Sequence, residues 1–215
     1  MNNAAKLQDE WVLSYSAGAL DPARSLLVGS HIAYHDDLQE ALCDADAIGG
    51  SLLETLQSAD VNNNVLDKLM SRIDDAQDSK IEPVAPAGNQ YPQALMDFID
   101  CDMDSLKWRS MGPGMSNARL WDGPNDERLW LLKARGGVKV PEHGHSGDEW
   151  TLILQGSYQT AAGRFSVGDI DLADTDTVHQ PIIDTGEECI CLVMTEGPIK
   201  FKSLIARMVQ PIIGL

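Results

Sequence analysis

The sequence predicts an α+β protein with two domains, a small helical bundle followed by an all-β barrel or sandwich. In about the first 75 residues, apolar side chains recur every three or four positions, which is the period of a helix face. From about residue 106 they alternate with polar ones in short segments separated by Gly, Asp and Pro, as in strands joined by turns. We therefore expect a helical domain over 1–77, a linker over 78–92 and a β domain over 93–215.

The helical half carries start and stop signals for helices. Asp21 and Pro22 suit the cap and first position of a helix, because the aspartate side chain accepts backbone N–H bonds and proline needs none there. The pair Gly49 and Gly50 is expected to end this segment, and "SLLETLQ" and "NNNVLDKLMSRIDDA" are expected to form further helices. The last of these carries an apolar stripe that suits a bundle core or a partner surface: Leu66, Leu69, Met70 and Ile73.

A linker separates the two kinds of periodicity. Residues 78–92 fit neither a helix nor a strand pattern and contain three prolines. Such a composition favours a semi-extended segment. A short helix, "QALMDFID", is expected to follow before the first strand.

Composition limits the class of protein and its partners. The net charge of −17 weighs against direct nucleic acid binding, because phosphate contacts need clustered Lys and Arg. No segment has the ~18 apolar residues of a membrane helix, and the N-terminus lacks a secretion signal, so we expect a cytoplasmic protein. The four cysteines lack CxxC spacing, and Cys189 and Cys191 are expected to be small buried residues on one strand face.

A cluster of metal-ligand residue types lies in the β half, which holds three of the five histidines. His143 and His145 are one residue apart, so both rings face the same side of an extended chain. Glu149 follows a turn and can point back to the same place, and His179 lies 34 residues after His145. Three neutral imidazoles and a carboxylate make a suitable site for a first-row metal.

The spacing of these residues resembles the first cupin motif, G-x5-HxH-x3-E-x6-G. Gly137 and Gly156 stand at the two glycine positions, with His143, His145 and Glu149 at the ligand positions between them. Every defined position of the motif is therefore matched. The cupin fold is a jelly-roll barrel, which agrees with the strand pattern.

The second cupin motif, G-x5-PxG-x2-H-x3-N, is matched only in part. Gly168 and His179 fit, but Asp174, Asp176 and Ile183 replace its proline, second glycine and asparagine. The turn before the histidine must therefore differ, although aspartate suits turns. The resemblance implies one divalent metal, with zinc expected and iron, nickel or manganese also compatible, held by His143, His145, Glu149 and His179.

The whole chain resembles the ChrR-type zinc anti-sigma factors, in which a helical domain precedes a cupin. The residues that carry this resemblance include "LSYSAGAL" and "DPARSLLVGSH" in the helical half and "HGHSGDEWTLILQGSY" in the barrel. The resemblance implies that the helical domain sequesters an extracytoplasmic-function sigma factor and that the cupin senses or transmits a stress signal of an oxidative kind. It implies no enzymatic activity, and a homodimer is a second mode of association compatible with it.

The helical half departs from the zinc site of that family. The family pattern is an early histidine plus H-x3-C-x2-C, and here His31 matches while His35 and Leu38 replace the two cysteines. Leucine cannot ligate zinc. A residual site could use both histidines with the neighbouring Asp36 or Asp37, because histidines four apart share a helix face.

The alternative function is a metal-dependent cupin enzyme, with an iron dioxygenase as the leading example. Three histidines and one glutamate leave coordination positions open for a substrate or O₂, and the helices would then serve as a lid or a dimerisation element. Trp150 and Tyr158 are the aromatic residues nearest the ligands in sequence. Strand packing is the expected role of both. A third alternative is a structural metal that only holds the barrel together.

Overall fold

Five helices precede the β half in a computed structural model that describes residues 7–60, 62, 64–76 and 90–201. Residues 78–89 of the predicted linker lie outside this described part of the chain. No helix within the described ranges is long and apolar enough to cross a bilayer. The helices are α1 (Asp9–Ser16), α2 (Pro22–Ile32), α3 (Asp36–Glu54), α4 (Val65–Ala76) and α5 (Gln93–Ile99).

The start of α2 agrees with the prediction, but the end of α3 does not. The Asp21 carboxylate accepts hydrogen bonds from the backbone N–H groups of Ala23 and Arg24, both at 3.0 Å. Gly49 and Gly50 were expected to end the helix, and this expectation is wrong, because α3 continues to Glu54. Glycine ends a helix when it adopts a left-handed conformation, and neither glycine of this pair does. "SLLETLQ" therefore supplies the last turn of α3 rather than a separate helix.

The β half consists of short antiparallel strands, as predicted. One sheet has six strands in the order β1-β2-β3-β11-β5-β8, and two smaller sheets have the orders β10-β6-β7 and β12-β4-β9. The strands are β1 (Arg109–Gly112), β2 (Met115–Asp122), β3 (Glu127–Ala134), β4 (His143–Gly144), β5 (Glu149–Gln155), β6 (Ser157–Thr160), β7 (Gly163–Ser166), β8 (Ile170–Ala173), β9 (Val178–His179), β10 (Ile182–Ile183), β11 (Cys189–Glu196) and β12 (Lys200–Phe201).

Strand β5 is buried on both faces because two separate cores lie on either side of its sheet. Trp150, Leu152 and Leu154 belong to a core that includes the helices. Ile153 belongs to the second core, inside the barrel. Successive strand residues point to opposite faces, so the first residue of β5, Glu149, points into the barrel like Ile153. A strand covered on both faces reads as a nearly continuous apolar run, and "WTLIL" fits that description.

Strand β11 alternates in the same way. Ile190 and Leu192 face the core with the helices, whereas Cys189 and Cys191 face the barrel interior. Both thiols are reduced and buried on one face of the strand, as predicted, with their Sγ atoms 3.6 Å apart.

Helices α1, α2, α3 and α5 contribute to the core on the outer face of the six-stranded sheet, whereas the described side chains of α4 are exposed. The ring of His35 also donates a hydrogen bond from Nε2 to the carbonyl oxygen of Gly168, at 2.9 Å, which joins the start of α3 to the barrel. The helices, which precede the barrel as predicted, thus share a core with its six-stranded sheet. The fully or nearly fully buried residues of the helices include Val12, Leu27, Val28, Leu38 and Leu95.

Leu27 provides a test of this shared core. It is fully buried, so Leu27→Ala should lower the free energy of unfolding by about 2–5 kcal/mol through lost apolar burial and a cavity. Leu13 of α1 is 57% exposed, and Leu13→Ala should change the same quantity by less than about 0.5 kcal/mol. Urea denaturation followed by circular dichroism measures both. Equal effects of the two substitutions would contradict the packing described.

Candidate metal centre

The four predicted ligands converge on one point inside the barrel. Strand β4 pairs with β9 so that His143 lies directly opposite His179. His145 follows β4 by one residue, and Glu149 is the first residue of β5. All four side chains are buried. Among the residues that the structure describes, this is the one group of three or more His, Cys, Asp or Glu side chains placed to hold a metal ion.

The distances within the group suit a single ion. One nitrogen or oxygen from each of the four residues lies within 4.8 Å of the others. The Nε2 atoms of His143 and His179 are 3.0 Å apart. Glu149 Oε1 is 3.9 Å from the former and 3.5 Å from the latter, and its Oε2 is 3.6 Å from Nδ1 of His145. One nitrogen or oxygen from each of the four side chains can therefore be a ligand of one cation that lies between them.

Burial and mutual charge shift the protonation of the group. Burial alone would lower the pKa of His143, but its hydrogen bond to Glu149 and the carboxylate charge raise it overall. Burial alone would raise the pKa of Glu149, but the hydrogen bonds and charges of the histidines hold it far below its usual range. Burial lowers the pKa of His145 to about 4. Glu149 is therefore an anion and His145 a neutral imidazole at neutral pH, which are the forms that bind metals.

Two ring nitrogens indicate that the group fits a metal. His143 donates a hydrogen bond from Nδ1 to the carbonyl oxygen of Pro141, at 2.8 Å, which directs its Nε2 toward the other ligands. Nε2 of His145 is buried and has no hydrogen-bond partner among the residues that the structure describes. An unpartnered buried nitrogen costs free energy unless something binds it, and a metal ion would bind it here. The hydrogen bond to a backbone carbonyl is the usual way in which a protein orients a ligating histidine.

Asp171 is a neighbour of the site that sequence reasoning missed. The Tyr158 hydroxyl donates a hydrogen bond to Asp171 Oδ2 at 3.0 Å, and the same oxygen is 3.8 Å from Nδ1 of His179. Burial raises the pKa of this aspartate, although its hydrogen bond from Tyr158 opposes the change. An acid in the middle of the otherwise apolar strand "IDLA" was the available signal.

The turn before His179 explains how the barrel tolerates the departures from the second cupin motif. The Asp174 side chain accepts hydrogen bonds from the backbone N–H of Asp176, at 3.1 Å, and from the Thr177 hydroxyl, at 2.7 Å. An aspartate that bonds to the backbone two residues ahead closes a turn without proline or glycine. The histidine consequently reaches the same position through a different turn.

His31 and His35 make contacts of a different kind. Nε2 of His31 accepts a hydrogen bond from the backbone N–H of Leu7, at 3.2 Å. Nε2 of His35 donates its hydrogen bond to the Gly168 carbonyl oxygen. Leu38, at the position of the second family cysteine, is buried in the core. Asp36 and Asp37 begin α3. The described residues of the helical half thus contain no group of three metal-ligating side chains.

Comparison with known proteins identifies the family. The model of the ChrR cupin-like domain matches residues 97–199. The anti-sigma-E factor ChrR of Cereibacter sphaeroides is 35% identical over 208 residues, which are 95% of this chain and 95% of that protein. A crystal structure of Rhodobacter sphaeroides SigE in complex with the anti-sigma ChrR includes a chain with 32% identity and a TM-score of 0.74, covering 89% of this chain and 98% of that one.

The similarity extends over both halves of the molecule. The similarity to ChrR includes the helices as well as the barrel. The family model covers the barrel region, residues 97–199. A relative at this level of identity along nearly the entire length shares its ancestry and its fold. The chain therefore belongs to the ChrR family, in which a helical domain precedes a cupin barrel.

Proposed function

We propose that this protein is an anti-sigma factor that sequesters a sigma factor through its helices, while its cupin metal centre senses or transmits an oxidative signal. The observation that carries the proposal is the similarity to ChrR over 95% of both chains. The related solved structure is a complex with SigE, so a sigma factor is the partner that we propose here. Because sigma factors act with RNA polymerase, the proposed location is the cytoplasm.

A set of exposed apolar side chains on α3, on α4 and in the segment between them supports a protein partner. We call it the α3–α4 face. Every side chain that forms it is between 46% and 68% exposed. Apolar side chains that follow one another at helical spacing and remain exposed mark a site of association. The α3–α4 face consists of Ile48, Leu52, Leu53, Leu56, Val65, Leu66, Leu69, Met70 and Ile73.

The position of these residues suits a helix of the partner. Leu66, Leu69, Met70 and Ile73 follow the three- and four-residue spacing of one helix face. An amphipathic helix of a partner can lie along such a stripe. The chain's net charge of −17 favours a basic partner, as expected of a protein that binds polymerase and DNA. From the sequence, the apolar stripe of α4 suits either a bundle core or a partner surface. We propose that it is a partner surface.

The proposed metal is zinc, held by His143, His145, Glu149 and His179. A bound divalent cation would supply a cross-link between strands β4, β5 and β9, and those strands position the four ligands before it binds. A change in any ligand would loosen that cross-link. The two aromatic residues considered for the dioxygenase alternative do not favour it, because Trp150 faces the helices and Tyr158 is hydrogen-bonded to Asp171.

Substitutions on the α3–α4 face test the sigma interaction. Leu69→Glu and Leu52→Glu should each weaken binding of the sigma factor encoded beside this protein about 30-fold, since a central apolar contact in an interface contributes about 2 kcal/mol. Isothermal titration with the full chain measures the affinity. Both residues are at least half exposed, so folding should be unaffected.

Leu172 provides the matched control for these variants. It is also an exposed leucine, but it lies on β8 of the barrel. Leu172→Glu should bind the sigma factor as the wild type does. The proposed function is wrong if the wild-type chain forms no complex under reducing or oxidising conditions, and the proposed surface is wrong if all three variants behave alike.

Elemental analysis of the purified protein tests the metal site. The wild type should contain about one zinc ion per chain, the usual content of a four-ligand site. His145→Ala and Glu149→Ala should each lower the content at least about tenfold. His35→Ala removes a histidine outside the centre and should leave it unchanged. Full zinc content in both ligand variants would exclude the assignment.

A further inference from the structure

Trp150 connects the metal centre to two helices. It follows Glu149 directly on β5 and points to the opposite face of the sheet, into the core that includes the helices. Its ring meets that of Trp11 on α1 edge to face, with centroids 4.5 Å apart at 89°. The Arg24 guanidinium of α2 lies over the same ring, 5.5 Å from its centroid. A shift at Glu149 would therefore move a contact of α1 and a contact of α2.

Glu196 connects the ligand loop to the same arginine. This residue ends β11, and its carboxylate forms a salt bridge with Arg24. Its backbone N–H donates to the Asp148 carbonyl oxygen, at 2.8 Å, and its Oε2 lies 3.5 Å from the backbone nitrogen of Asp148. Asp148 belongs to the short loop between His145 and Glu149, so one carboxylate touches both this loop and α2.

The packing of the ligand loop against Glu196 is close. A Cβ atom added to Gly147 would lie 2.7 Å from the Glu196 Cβ and 2.9 Å from its carbonyl oxygen. Only glycine allows that approach. Ser146 also donates a hydrogen bond to the Pro198 carbonyl oxygen, at 2.8 Å. The loop therefore lies directly on the end of β11 and cannot move without disturbing the residue that holds Arg24.

The salt bridge between Arg24 and Glu196 is partly shielded from solvent. The exposed fraction of the Arg24 side chain is 17% and that of Glu196 is 33%. Arg24 is also held by Asp21 at 2.7 Å, at the cap of α2. Partly buried pairs within a network are screened less by solvent than an isolated surface pair. Asp21, Arg24, Trp150 and Glu196 thus form one contact set, which we call the helix clamp.

We propose that the helix clamp transmits the state of the metal centre to α1 and α2. With the metal bound, Glu149 and the loop from His145 are fixed, and the clamp holds the helices on the sheet. Loss of the metal frees the loop and Glu149, which loosens Trp150 and Glu196 together and allows α1 and α2 to open more often. The inference rests on the proposed function, since opening of the helices is what would release a sigma factor.

Hydrogen exchange on the full-length metal-loaded protein tests the clamp. Removal of the metal from the wild type by EDTA should accelerate exchange of the α2 amides, residues 22–32, about tenfold. Glu196→Gln should show about the same acceleration with its metal still bound. Removal of the metal from this variant should then add less than it does in the wild type, because the Glu196 connection is already broken and only the Trp150 contacts remain. Arg24→Gln, which breaks the salt bridge from the helix side, should reproduce this pattern.

Asp184→Asn is the matched control. Asp184 forms a salt bridge with Arg164, at 2.7 Å, entirely within the barrel, and its side chain is 29% exposed, close to the 33% of Glu196. This variant should retain wild-type protection of α2 and the full response to EDTA. The clamp is excluded if metal removal leaves α2 protection unchanged in the wild type, or if the effects of metal removal and Glu196→Gln add in full. Loss of the metal from Glu196→Gln would also count against it, since Glu196 would then act on the site itself.

A binding measurement separates this proposal from the proposed function. If the chain binds the sigma factor but the exchange pattern is absent, the clamp is wrong and the function stands. If the exchange pattern is present but no sigma factor binds, the function is wrong and the clamp stands.

Discussion

Burial of β5 on both faces is the constraint on which the arrangement of this molecule depends. One face of the strand begins with Glu149 and lies inside the barrel, and the other begins with Trp150 and lies under the helices. Because side chains alternate along a strand, a proposed metal ligand and a helix contact are adjacent in sequence and back to back in space. A shift of one residue in register would exchange the two roles and destroy both. The metal centre and the helix layer are therefore fixed by the same strand pairing.

The interior of the barrel carries an energetic cost that the exterior core offsets. Three histidines and a glutamate lie out of water within a few ångströms of one another, and desolvation of such groups opposes folding. Their mutual hydrogen bonds recover part of this cost, and a bound cation would recover more. The large apolar core between sheet and helices supplies stability of a different origin. The fold can consequently bury this polar group, because its stability does not depend on that group alone.

The features that could be predicted from the sequence are those with a strict geometric rule. Two histidines separated by one residue must share a strand face, so the spacing of His143 and His145 alone places their rings together. The cap at Asp21 follows equally from the needs of a helix end. The prediction that Gly49 and Gly50 end a helix was wrong, because glycine permits a helix end without requiring one. Asp171 escaped notice because its role depends on strands that are distant in sequence. The docking of the helices on the sheet was not predicted either, since an apolar helix face does not specify what covers it.

The hydrogen bond from His35 to Gly168 has a consequence for how the two halves unfold. His35 stands where the family pattern has a zinc-binding cysteine, and here its ring is bonded to the barrel instead. A metal site within the helical half would stabilise the helices alone. The hydrogen bond of His35 instead couples the stability of the helices to that of the β half. Thermal unfolding should then be a single cooperative transition rather than two. Mutations in the barrel would accordingly change the stability of the helices as well.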